Sequence, residues 1–257
     1  MKYNYPPAYF VTDLERIINK WKFGNSKNPS AESICFPSHP GVILPVPFFG
    51  NIANDKPRIF TIGSNPSDKE FIDDKGNPLK SSRFFRPQFV SPSWGWRELF
   101  EACNEYFVNS PYTRWFGKHG TRIEGFLNLL DASYYDTSDY QYQAVHVDLM
   151  PFPTEEKFAS FKKTHPTEAK EYINSYGIPL VYSLISLYKP ELIVCIGTDA
   201  CNHLLGHPAG AGVSAGKAFK YYKGEFGGVK AFGTSIYYPN SYGSSPRDWE
   251  KDIVPLI

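Results

Sequence analysis

Apolar residues recur at Leu14, Ile17, Ile18 and Trp21 behind a Thr or Asp cap, and this spacing of three and four predicts a docking helix over residues 11–22. From Gly24 to Asp55 the periodicity stops, and Pro, Gly, Ser and Asn dominate. The apolar patch at 42–49 (Val-Ile-Leu-Pro-Val-Pro-Phe-Phe) carries prolines that bar it from a central strand, so this stretch is expected to wrap the domain as a long ordered loop. Beyond it, short apolar runs stand at 58–63, 144–149 and 192–197, and a fourth at 235–238 stops at Pro239. Such runs mark buried strands. Helical patterns at 96–108, 122–131, 168–188 and 198–205 lie between them, while the Gly-rich segment Gly206 to Gly216 reads as a flexible loop.

Strands alternating with helices predict an α/β chain: a three-layer α/β/α arrangement on a mostly parallel, four-stranded central sheet. Residues 1–55 form its N-terminal helix and wrapping loop, and 56–257 the α/β domain. Open sheets of this kind bind ligands outside the carboxyl ends of their strands. The residues that matter most are therefore Gly63-Ser64-Asn65-Pro66-Ser67, Asp148 to Phe152, Gly197-Thr198-Asp199 and Tyr238-Pro239-Asn240-Ser241.

Composition narrows the picture further. A chain of 257 residues with 42% hydrophobic content can bury one substantial core, and its 17% aromatic content first of all fills that core. The formal net charge is only +1, against the basic surplus of a strong DNA binder, and leaves two local basic groups: Lys80, Arg83 and Arg86, and Lys217, Lys220, Lys223 and Lys230. Four cysteines at 35, 103, 195 and 201 form no Cys-x-x-Cys pair and have no His at zinc-ligand spacing, so no metal is expected. No cofactor-binding glycine loop of the dinucleotide or P-loop kind follows a strand, and none of the cofactors it would hold is expected. No leader and no run of 18 apolar residues is evident, which with the cysteine usage predicts a reducing cytoplasm and no membrane span; a monomer is expected separately.

Taken together, the strand ends resemble the uracil-DNA glycosylase superfamily, especially its mismatch-specific and single-strand-selective monofunctional branches. Gly63-Ser64-Asn65-Pro66-Ser67 fits the first motif of those branches, Gly-x-Asn-Pro-Gly/Ser, at every defined position. Val-Asp-Leu-Met-Pro-Phe at 147–152 is similar to the family's second strand end, and Lys189 to Gly197 to its Lys-Pro, apolar strand, Gly segment. The likeness spans residues 57–250.

The resemblance implies a monofunctional glycosylase acting on single-stranded or damaged duplex DNA. Such an enzyme hydrolyses the N-glycosidic bond of a damaged or deaminated base flipped out of the stack. Asn65 would position the attacking water by its side-chain amide, and the backbone of Gly63 and Ser64 with the loop at Pro66 and Ser67 would contact the base edge. Phe71, or one of Phe84 and Phe85, would stack on the base.

Two departures from the family pattern bear on specificity. Asp148 stands where uracil readers carry Asn, and an ionised carboxylate can only accept hydrogen bonds. It suits a base edge rich in donors, a protonated carboxyl, or a substrate other than uracil; the lesser alternative is that it caps a turn after the strand. At the fourth strand end the family's His-Pro-Ser is replaced by Tyr238-Pro239-Asn240, which puts Tyr238 or Asn240 at the leaving base. Arg247, in Ser245-Pro246-Arg247-Asp248, would then be the wedge into the duplex. The alternative is a non-catalytic protein that keeps the fold and binds a nucleobase or nucleic acid.

Overall fold

The computed structural model describes residues 6–25, 28–39, 41, 43–53, 58–79, 83–84, 94–109, 111–135, 138–235 and 246–257. They group into two compact units. One is drawn from Met1–Ala53, Asn65–Ser110 and Val147–Leu184, the other from Asn54–Ser64, Pro111–His146 and Ile185–Ile257.

The second unit carries the sheet. Its strands are β1 (Arg58–Gly63), β2 (Ala132–Ser133), β3 (Tyr142–Asp148), β4 (Leu192–Ile196), β5 (Gly210–Ser214), β6 (Lys217–Phe226) and β7 (Val229–Thr234). They lie in the order β2-β3-β1-β4-β7-β6-β5, and β3 runs on into the first unit at Val147 and Asp148. β2 with β3, β1 with β4 and β4 with β7 pair in parallel, whereas β6 pairs antiparallel with both β5 and β7. All six residues of β1 are buried, as befits a strand covered on both faces. The α/β class holds.

The expected four-stranded sheet does not: among the described residues the sheet has seven strands. The runs at 58–63, 144–149 and 192–197 are β1, β3 and β4. The run expected at 235–238 lies, beyond Ser235, outside the described residues; the strand that ends just before it is β7, which closes at Thr234. Register is set upstream. Gly227 and Gly228 take φ of 60° and 77° and close the tight β6–β7 hairpin, which fixes where β7 begins. The supposed loop at 206–216 contains β5, whose glycines hid it. A Cβ on Gly212 would stand 2.9 Å from the Phe219 ring of β6, so the strand needs glycine there to lie against its partner.

The first unit is built on helices. Helix Ala8–Lys22 buries Phe10, Leu14, Ile17, Ile18 and Trp21, the face that the periodicity marks out. Trp21 Nε1 donates to the carbonyl of Ile43 at 3.1 Å, tying the helix to the following segment. That segment is no plain loop: Ser30 caps a short helix, Ala31–Cys35, by accepting from Ser33 N. The pattern at 168–188 becomes Pro166–Tyr172, a π-turn at Ile173–Gly177 and Ile178–Tyr188. At the end of this turn Gly177 packs against the chain, since a Cβ there would run into the carbonyl oxygen of Leu149. Only glycine admits that approach. Among the described residues no helix is long and apolar enough to cross a membrane.

Candidate active site

β1 ends at buried Gly63, and the chain turns through half-buried Ser64 and Asn65 and buried Pro66. Ser67 caps the short 3₁₀ turn Asp68–Glu70, its hydroxyl accepting from Lys69 N at 3.1 Å. The turn residues of the motif thus have local work, and Asn65 is the one whose side chain reaches further. Its Nδ2 donates to the Pro66 carbonyl at 3.0 Å and to Thr154 Oγ1 at 2.9 Å.

These partners settle which way the amide faces. A carbonyl oxygen accepts only, and the one hydroxyl proton of Thr154 is given to the carbonyl of Glu156 at 2.7 Å, so both groups demand an N–H from Asn65. The amide oxygen Oδ1 consequently points away from both and accepts no hydrogen bond from a described residue. A half-buried residue with its donors pinned and its acceptor free is what holding a water requires.

Thr154 is placed by the segment that follows β3. There Val46 N donates to Pro151 O at 2.7 Å, and the Phe152 ring stacks on Trp21 (5.7 Å, 25°) and meets Tyr172 edge-on (4.9 Å, 82°). Leu149, Met150 and Phe152 are fully buried. Dense apolar packing therefore fixes the backbone from which a hydroxyl, 2% exposed, reaches Asn65. Asp148, the last residue of β3, is 3% exposed and is engaged rather than free.

Sequence reasoning missed a second acid. Glu70, on the 3₁₀ turn just past the motif, is 2% exposed and accepts from Tyr106 OH at 2.7 Å, with Arg83 Nε 3.6 Å away. Burial pushes its pKa up to about 8, against the pull of Tyr106 and Arg83, and the Asp148 carboxylate adds to the rise. At neutral pH Glu70 is therefore mostly a neutral acid. Its signal lay only in its position, three residues past Ser67.

The expected stacking rings are not available as placed. Phe71 and Phe84, each 1% exposed, stack on one another (5.7 Å, 19°), and Phe84 stacks on Tyr106 (4.9 Å, 30°). They close an aromatic cluster with Phe49 rather than offering a face. Arg247 is exposed on helix Pro246–Asp252. Tyr238, Asn240, Phe85, Lys80 and Arg86 lie outside the described residues. Among the described residues no three His, Cys, Asp or Glu side chains gather as a metal site would require.

No known protein family matches the chain, and no curated protein matches it.

Proposed function

We propose that this chain is a DNA base-excision glycosylase of the uracil-DNA glycosylase type, with a glycosylase-like three-layer fold, that hydrolyses the N-glycosidic bond of a flipped-out damaged or deaminated base. The observation that carries the reading is the Asn65 amide, with both donors engaged and Oδ1 left as an acceptor at the end of a buried parallel strand. Oδ1 would accept from the attacking water and aim its lone pair at the anomeric carbon. A strong base is unnecessary, because the departing base leaves an oxocarbenium-like sugar that is itself highly electrophilic. Charge accumulating on the departing base would have to be met by donors aimed at it, usually the largest electrostatic contribution in such a site. Asp148, buried at the neighbouring strand end, supports a base edge that offers a donor.

The reading is tested by single-turnover excision from oligonucleotides carrying uracil, hypoxanthine, xanthine or a thymine mismatch. Excision of at least one is expected. Asn65→Ala should slow it by roughly 10²–10³, about 2.7–4 kcal/mol, as for loss of one preorganised group at a developing charge. An unaltered rate in the mutant would remove Asn65 from the chemistry. The near-zero net charge favours a second reading, recognition of a base without its excision, and tight binding with no cleavage of any substrate would establish that instead.

A further inference from the structure

The Asn65 amide can rotate by half a turn at little intrinsic cost, since terminal amide torsions are broad and nearly two-fold. Turned over, it would present N–H groups where the proposed chemistry needs an acceptor. Pro66 O alone is a weak guard, being the neighbouring residue's own carbonyl. Thr154 is the distant one. Its hydroxyl proton is committed to Glu156 O at 2.7 Å, so toward Asn65 it can only accept, and a flipped amide would set Oδ1 against an oxygen with no proton to give. The strap around it is held in turn: Thr164 Oγ1 donates to Glu156 Oε1 at 2.7 Å, and Glu155 N donates to Cys35 O at 2.8 Å.

From this relay we infer that Thr154 is the positioning residue of the site, locking the Asn65 amide in the orientation that offers Oδ1 to water. The inference deepens the glycosylase reading and rests on it for its chemical meaning. Thr154 touches no reacting atom. Its hydroxyl matters because it accepts, and its methyl group does not, which makes the conservative substitutions diagnostic.

Thr154→Val keeps the shape and removes the acceptor; Thr154→Ser keeps the acceptor. In single-turnover excision, Val should lower the rate roughly tenfold, about the worth of one hydrogen bond, with substrate affinity unchanged, and Ser should restore it. Thr154→Ala repeats the comparison if the Val protein fails to fold. Independently of any activity, NMR exchange of the Asn65 side-chain amide protons should be slow in the wild type and the Ser variant and fast in the Val variant. A Val variant that excises at the wild-type rate overturns the inference, as does a Ser variant as slow as Val. If the wild type excises nothing, the glycosylase reading fails by itself. The amide exchange then decides Thr154: equal protection in wild type and Val overturns the lock, and protection lost only in Val sustains it.

Discussion

At the scale of single residues the site divides by what each side chain could advertise. Asn65 drew notice because its motif, though built of common turn residues, follows a buried apolar run within a larger likeness, whereas Thr154 and Glu70 carried no such signal. A threonine after Pro153 and a glutamate in a polar run look like solvated surface until packing removes the water. Glu70 has a consequence for stability. Its folded pKa of about 8 exceeds the ordinary 4.5, so the folded chain holds a proton that the unfolded chain releases between those values. Stability is thus greatest, as far as Glu70 decides it, below pH 4.5, and falls as pH rises through 8 by on the order of a few kcal/mol. In urea melts from pH 5 to 9, Glu70→Gln should flatten that decline, since the amide oxygen can still accept from Tyr106. A mutant that declines as steeply as the wild type would show the acid to be ionised throughout. Asp148 makes a different prediction. An ionised carboxylate mispairs with a base carbonyl at a cost of about 1–3 kcal/mol, so the wild type should be a poor uracil excisor. Asp148→Asn should improve uracil excision by roughly one to two orders of magnitude at about 1.4 kcal/mol per tenfold. An efficient wild type with a neutral or impaired mutant would show that Asp148 does not read the base.

Among the elements, legibility followed burial. β1, β3 and β4 are buried, mostly apolar runs, interrupted by a few polar residues such as Thr61, which hydrogen-bonds His146 at 2.8 Å, and Asp148, and the sequence pattern marks each of them. The antiparallel strands were hidden for opposite reasons. β5, Gly-Ala-Gly-Val-Ser, lacks the bulky residues that signal a strand because its neighbour's aromatic ring occupies that space, and β6 mixes lysines with buried Phe219, Tyr222 and Phe226 in no strict alternation. The π-turn at Ile173–Gly177 was invisible in a continuous helical pattern, and Gly177 within it meets the carbonyl of Leu149, a residue distant in sequence. Within 24–55 the apolar patch was legible, and its described residues Ile43, Leu44, Val46, Phe48 and Phe49 are buried, but the Ser30 cap that starts the short helix there was read as one more loop residue.

On the scale of the whole molecule, the balance of 27 basic against 26 acidic residues bounds the DNA binding that the glycosylase proposal requires. Affinity drawn from phosphates releases counterions, and log K falls with log salt by about 0.9 per phosphate neutralised on duplex and about 0.7 on single strands. The exposed lysines of β6 and β7, Lys217, Lys220, Lys223 and Lys230, could supply some of these contacts, but Glu225 stands opposite Lys230 in the hairpin and offsets part of their charge. On the glycosylase reading, a balance this near neutral is taken to allow about two or three phosphate contacts. Binding to a lesion-bearing oligonucleotide should therefore show a shallow slope, about −2, and weaken by only about tenfold to thirtyfold between 50 and 200 mM salt. Affinity would then reside in the flipped base, so an undamaged oligonucleotide of the same length should bind much more weakly at every salt concentration. Fluorescence anisotropy across a salt series measures both. A slope steeper than about −6, shared by damaged and undamaged strands, would mean that a concentrated basic surface dominates binding, contrary to the near-neutral charge from which the prediction is drawn.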